Sequence, residues 1–127
     1  MLGAGLPMTL IPLDATRKLR ATRDWCRLLE ARGSPSAIAS ARLIEAYFNA
    51  TDGRESRPLH DPCVMLMAAR PDLFACESIA LEVDTSEDID AGALSRAATG
   101  ATVQVAMGVR SDAALALLAD GLARSTA

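Results

Sequence analysis

The 127-residue sequence contains few cysteine, histidine and aromatic residues. The shortage of cysteine excludes two kinds of stabilising site. Its cysteines, Cys26, Cys63 and Cys76, are odd in number and form no C-x-x-C pair. Neither a disulfide framework nor a cysteine-based zinc site is therefore expected. Free thiols favour a reducing compartment, so we expect a cytoplasmic protein. The net charge of −3 offers no basic surface for nucleic acid, and no such partner is expected.

The sequence also lacks a hydrophobic run long enough to cross a membrane. Residues 1–13 are apolar except for Thr9, but they are too short to span a bilayer, and they contain no basic n-region. We therefore expect no membrane association. Residues 8–13 form a short run that is apolar apart from Thr9 and contains Pro12, and we expect a strand buried on both faces of a parallel sheet.

Half of the residues are hydrophobic, which is enough for a core, and the length predicts one domain over residues 1–127. Alternating apolar residues predict further strands at 79–83 and 102–109. Capping residues predict helix starts at Thr22, at Ser34 with Pro35, and at Ser111 or Asp112, with Gly33 ending the first helix. Residues 51–57 are expected to form a mobile loop, and the acidic residues 85–91 a turn. This order of elements predicts an α/β fold.

His60 and Asp61 are the residues most suggestive of chemistry. His60 is the only histidine, and Asp61 with Pro62 comes directly before the apolar segment 63–69. Asp is a favoured N-cap and Pro a favoured first helical residue, so a helix should begin here with His60 on the preceding loop. A proton donor beside a cation ligand predicts half of an active site. Alternatively, Asp61 only caps the helix and His60 is an ordinary surface or core residue.

Several segments resemble the inosine–uridine-preferring nucleoside hydrolases. Residues 59–63, Leu-His-Asp-Pro-Cys, are similar to the family's C-terminal signature. Residues 5–16 end in Pro-Leu-Asp-Ala-Thr and resemble a family strand followed by a Pro-Leu-Asp-x-Thr turn. Residues 71–83, and the strand and helix from 101 onward, resemble the family's segments after its histidine and at its end. The resemblance covers nearly the whole chain, but only the C-terminal part of a family whose members are more than twice as long. It implies an open, mostly parallel sheet flanked by helices.

The resemblance also implies a function, namely hydrolysis of the N-glycosidic bond of purine or pyrimidine ribonucleosides in salvage, with Ca²⁺ holding the ribose and the attacking water. By position, His60 matches the leaving-group acid and Asp61 the C-terminal calcium ligand. Tyr47 matches an aromatic residue that covers the base; the alternative is that it and Phe48 both pack on the core face. In the shared turn that contains Asp14, we expect a structural role, with Thr16 capping the next turn.

The sequence departs from the family pattern in one important respect. The family's N-terminal aspartate cluster, which supplies most calcium ligands and the catalytic base, has no counterpart here. The sequence therefore predicts that this chain alone binds calcium weakly and is inactive. An alternative function is that of a truncated, non-catalytic fragment serving as a structural or interaction domain. Because much of the fold would be missing, we expect a homo-oligomer that covers residues 8–13 or the helix containing Trp25.

Overall fold

The computed structural model describes residues 2–50 and 55–125 of the chain. Short 3-10 turns lie at Leu2–Ala4 and Pro71–Leu73. The strands and helices, in chain order, are β1 (Thr9–Leu10), α1 (Leu13–Thr16), β2 (Arg20–Thr22), α2 (Arg23–Glu30), α3 (Pro35–Asn49), β3 (Ser56–Pro58), α4 (Pro62–Ala69), β4 (Phe74–Val83), β5 (Leu94–Arg96), β6 (Thr102–Val109) and α5 (Ser111–Arg124). None of the helices in these residues is long and apolar enough to cross a membrane.

The main sheet has the strand order β1-β6-β4-β5. Strand β1 runs parallel to β6, whereas β6 with β4 and β4 with β5 are antiparallel. The long β4–β6 pairing places Ile79 opposite Val103, and these side chains form a buried apolar cluster with Val105, Leu2 and Met8. The α/β class and the open sheet with flanking helices are confirmed, and within the described residues the sheet is mixed.

The helices pack around a second, larger core. This core joins Phe74 of β4 and Ala106 of β6 to side chains from the helices and the segments between them. Its largest fully buried members include Phe48 of α3 and Leu19, which follows α1. Burying aromatic and aliphatic side chains is the main stabilising term in such a fold. The core therefore fixes α1 and the segment before α4 against the sheet.

Two predicted helix starts are confirmed with their hydrogen bonds. The Thr22 hydroxyl accepts a hydrogen bond from the Trp25 amide, and the Ser34 hydroxyl accepts one from the Ala37 amide, both at 3.1 Å. Gly33, after α2, has a φ of +80°, a left-handed conformation that glycine adopts without steric cost. Local capping chemistry therefore sets these boundaries.

Two other predicted caps are wrong. Asp61 precedes α4, but its backbone is already helical, and its side chain makes no capping hydrogen bond. Ser111 is the first residue of α5 rather than its cap, and the Ser111 hydroxyl instead donates to the carbonyl oxygen of Lys18 at 2.8 Å. Asp112 lies within the first turn. In both places a tertiary contact or the backbone conformation overrides the local preference.

The strands also differ from the prediction. The first is only Thr9–Leu10, and it lies at the sheet edge with Thr9 exposed, so burial on both faces is wrong for the described residues. Within the predicted loop 51–57, residues 51–54 lie outside the described residues, but Ser56–Pro58 forms β3, which pairs with β2. Short strands such as β2, β3 and β5 carry too little periodicity to be recognised.

Candidate functional site

The two segments that carry the resemblance meet at one hydrogen bond. Thr16 Oγ1, at the end of α1, lies 2.7 Å from Nδ1 of His60, although the two residues are 44 positions apart. Thr16 is 5% exposed, whereas His60 is exposed. The imidazole is therefore anchored to the protein at one nitrogen while the ring itself lies at the surface. The predicted cap role of Thr16 is replaced by this contact with the candidate acid.

The backbone on both sides of His60 is held in place. The amide of buried Leu59 donates to the carbonyl oxygen of Leu19 at 2.8 Å, which continues the β2–β3 pairing. On the other side, the Cys63 amide donates to the His60 carbonyl oxygen at 3.1 Å. The Cys63 thiol is fully buried and donates to the Leu59 carbonyl oxygen at 3.3 Å. His60 therefore lies directly before a helix start, as the sequence predicts, and follows a paired strand where the sequence predicts a loop.

Asp61 is the other half of the predicted pair. Its carboxylate is exposed, and it makes no side-chain hydrogen bond to α4. The described residues contain no group of three or more His, Cys, Asp or Glu side chains positioned to hold a metal ion. Calcium usually takes 6–8 oxygen ligands. The described part of the chain therefore does not fit a complete calcium site.

Tyr47 lies in the last turn of α3 and is 61% exposed, while its neighbour Phe48 is buried. The guanidinium of buried Arg57 stacks on the Tyr47 ring, with its central carbon 4.4 Å from the ring centroid. The interpretation that both aromatic residues face the core is therefore wrong for Tyr47. The stack connects Tyr47 to β3, the strand that leads into His60.

The acidic segment after β4 forms an exposed turn, as predicted. The Asp84 carboxylate accepts a 2.8 Å hydrogen bond from the Ser86 amide, and this bond lowers the pKa of Asp84 below its usual value. Such a bond is typical of an Asx turn. The Asp84 carboxylate therefore has a local structural role, and the segment does not complete a metal site among the described residues.

Comparison with known proteins decides the family. Residues 1–116 match the model of the inosine-uridine preferring nucleoside hydrolases. The chain belongs to this family. An uncharacterized protein of Schizosaccharomyces pombe is 28% identical over 95 residues, covering 72% of this chain and 31% of the yeast protein. The pyrimidine-specific ribonucleoside hydrolase RihA of Photobacterium profundum is 27% identical over 86 residues, covering 65% of this chain and 28% of RihA.

The fold agrees with this assignment. A plant nucleoside hydrolase superimposes with a TM-score of 0.84 at 19% identity, covering 98% of this chain and 43% of that enzyme. Nearly all of this chain thus has the nucleoside hydrolase fold. The chain spans less than a third of the length of the curated relatives above, 31% and 28% respectively.

Two residues near the candidate site have contacts that the sequence does not reveal directly. Thr16 is predicted as a local cap, although its place in the Pro-Leu-Asp-x-Thr turn is a signal that it belongs with His60. Arg57 receives no predicted role, because a single arginine within an expected loop carries no burial signal. In a strand, residues two positions apart lie on the same face, so Arg57 shares a face with Leu59, and both side chains are buried. This spacing is the sequence signal for the burial of Arg57.

Proposed function

We propose that this chain forms part of the active site of a nucleoside N-ribohydrolase acting on purine or pyrimidine ribonucleosides. The observation that carries the proposal is the 2.7 Å contact between Thr16 Oγ1 and His60 Nδ1. It joins the two segments most similar to the family, and it holds an exposed imidazole by one nitrogen. An imidazole held in this way suits proton transfer to a departing base.

His60 is the proposed general acid. Cleavage of the N-glycosidic bond leaves negative charge on the base, and protonation of the base as the bond breaks contributes about 10²–10⁴-fold in rate. Tyr47 is the proposed contact for the base, since an exposed aromatic ring offers a stacking face. Asp61 is the proposed single calcium ligand from this chain, and its exposed carboxylate is available for that role.

The 127-residue chain on its own is proposed to be inactive. The described residues offer no metal cluster, and no aspartate-rich segment of the family type occurs in the sequence. The activity is proposed to need groups from outside these residues, which supply the remaining metal ligands and the base that activates water. The site would therefore be shared between this chain and other polypeptide.

The test begins with the DNA upstream of the codon for Met1. An in-frame, aspartate-rich opening segment would supply the missing ligands, and the longer protein should then hydrolyse inosine or uridine. In that protein, His60→Ala should lower kcat by about 10²–10⁴-fold, while the exposed control Asp112→Asn should leave it unchanged. Activity unaffected by His60→Ala would remove the proposed role of His60. Robust hydrolysis by the 127-residue chain alone would refute a shared site.

The alternative is a non-catalytic interaction domain that forms a homo-oligomer. It is favoured by the edge strand β1, which pairs only with β6 among the described residues, and by α2, where Leu28 is 69% exposed beside half-buried Trp25. Open strand edges and exposed apolar side chains promote association. Sedimentation velocity at micromolar concentration tests this, and a thermally stable monomer would count against it.

The place of the protein in the cell is also a proposal. Cys26, Cys63 and Cys76 are unpaired thiols, which are typical of a reducing compartment. A cytoplasmic role in nucleoside salvage is consistent with this chemistry and with the proposed substrate.

A further inference from the structure

The hydrogen bond between Thr16 and His60 has a direction, and that direction decides where the imidazole proton lies. Thr16 Oγ1 lies 2.7 Å from His60 Nδ1 and 3.4 Å from the carbonyl oxygen of Leu13, one turn earlier. A hydroxyl has one proton to donate and two lone pairs. Thr16 therefore donates either to the Leu13 carbonyl oxygen or to His60 Nδ1. If it donates to Leu13, it can still accept a hydrogen bond from Nδ1–H, so both contacts are hydrogen bonds. If it donates to Nδ1, no proton is left for Leu13.

We propose that Thr16 is a positioning residue that accepts a hydrogen bond from Nδ1–H of His60 and donates its own proton to the Leu13 carbonyl oxygen. This chain of bonds fixes the neutral ring in its Nδ1–H tautomer. Nε2 then carries the lone pair and is the ring nitrogen left for proton transfer. The catalytic meaning of this arrangement rests on the proposed function, but the arrangement itself does not.

The same bonds serve both protonation states of the ring. A charged imidazolium has N–H groups at both nitrogens and can only donate to Thr16. When Nε2–H gives its proton to a leaving base, the Nδ1–H bond to Thr16 remains, and the neutral Nδ1–H tautomer results. The opposite direction, with Thr16 donating to Nδ1, would require the hydroxyl to rotate at every proton transfer.

Thr16 is well placed to orient the ring. It is 5% exposed, and its amide donates to the carbonyl oxygen of Pro12 at 3.1 Å. Its own carbonyl oxygen accepts from the Leu19 amide at 3.1 Å. Threonine is branched at Cβ, which restricts its side-chain rotamer. A buried, restricted hydroxyl loses little further freedom when it binds the imidazole, and a supporting group of this kind keeps a catalytic side chain in one geometry.

The test is nuclear magnetic resonance of the 127-residue chain labelled with ¹⁵N at histidine. Because His60 is the only histidine, its two ring nitrogens give the only imidazole signals. Long-range ¹H–¹⁵N spectra of the neutral ring should show the Nδ1–H tautomer. Thr16→Val, which has nearly the same shape but no hydroxyl, should shift the tautomer ratio toward Nε2–H by about fivefold or more, as expected for loss of one hydrogen bond.

The controls separate positioning from folding. Thr16→Ser keeps the hydroxyl and should restore the wild-type tautomer, and Thr102→Val makes the same change at an exposed site in β6 and should leave the ring unaffected. If Thr16→Val does not fold, the wild-type and Thr16→Ser spectra still show whether the neutral ring carries its proton on Nδ1. A predominantly Nε2–H ring in the wild type, or a folded Thr16→Val with an unchanged spectrum, would overturn the proposal. Because this test does not measure hydrolysis, its failure can be distinguished from a failure of the proposed function.

Discussion

The guanidinium of Arg57 stacks on the ring of Tyr47 and also donates, through Nη2, to the Tyr47 carbonyl oxygen at 3.2 Å. Arg57 is buried, and within the described residues its Nε has no hydrogen-bond partner. The stack and this one bond therefore compensate much of the cost of burying the charge. They attach β3 to the end of α3.

We predict a measurable coupling energy between these two side chains. Urea unfolding of Arg57→Met, Tyr47→Ala and the double variant should give a coupling of about 1–2 kcal/mol, the range for a partly desolvated cation–π pair. The control Tyr47→Phe keeps the ring face and should retain the coupling. A coupling energy indistinguishable from zero would show that the stack does not stabilise the fold. A single cooperative transition would also support the one-domain organisation proposed for residues 1–127.

The three thiols should differ in reactivity. Cys76 is exposed, whereas Cys26 and Cys63 are buried. Burial is the main cause that raises the pKa of Cys26 to about 11, and burial also raises the pKa of Cys63. Since the thiolate is the nucleophile, iodoacetamide at pH 8 should modify Cys76 alone in the folded chain. Peptide mass spectrometry checks this, with Cys76→Ser as the control that abolishes native labelling. Comparable labelling of Cys26 would contradict the prediction.

Cys26 should also make stability depend on alkaline pH. Its pKa rises from 9.0 to about 11, through burial first and Glu45 second, opposed by Arg23. The folded state therefore keeps a proton that the unfolded chain loses. This contribution is fully present below about pH 9 and is lost as pH rises toward 11, by about 2–3 kcal/mol at most. Denaturant unfolding across this range should show a shallower decline for Cys26→Val. Parallel curves for the two proteins would refute the assignment.

The start of α5 offers a test of the tertiary hydrogen bond against the predicted cap. Because the Ser111 hydroxyl donates to the Lys18 carbonyl oxygen, Ser111→Ala should lower the free energy of unfolding by about 1 kcal/mol. Asp112→Ala should lower the free energy of unfolding by much less than the ~1 kcal/mol typical of a lost N-cap. Chemical denaturation of both variants measures these two losses of stability. A larger loss for Asp112→Ala than for Ser111→Ala would show that Asp112 caps α5, as the sequence predicts.

Calcium should bind the 127-residue chain weakly. Asp61 is the one proposed ligand, and the described residues hold no cluster around it. Calorimetric titration should give a dissociation constant no tighter than about millimolar, the weak end of the range for oxygen sites. Asp61→Asn should weaken even this signal, because Asp61 is the one proposed ligand. Micromolar binding that disappears in Asp61→Asn would reveal a complete site.

How well each feature can be predicted depends on the range of the interaction behind it. The starts of α2 and α3 are predictable because Thr22 and Ser34 bond amides three residues away. The position of His60 before α4 is set by Pro62 in the same local way. Ser111 and Thr16 are misassigned because their partners, Lys18 and His60, are distant in sequence. The stack of Arg57 is equally invisible, since nothing in the local pattern indicates that this arginine is buried.

The edge position of β1 limits how persistently the candidate site can stay assembled. Strand β1 has two residues and, in the described part of the chain, one neighbouring strand, and α1, with Thr16 at its end, follows it after a two-residue connection. Strand β6, by contrast, is bonded on both sides, so amide exchange should be slowest there and faster along residues 9–16. A local opening of residues 9–16 that carries Thr16 away from His60 would release the ring. The lifetime of an oriented His60 should therefore follow the local stability of this segment, not the average stability of the fold.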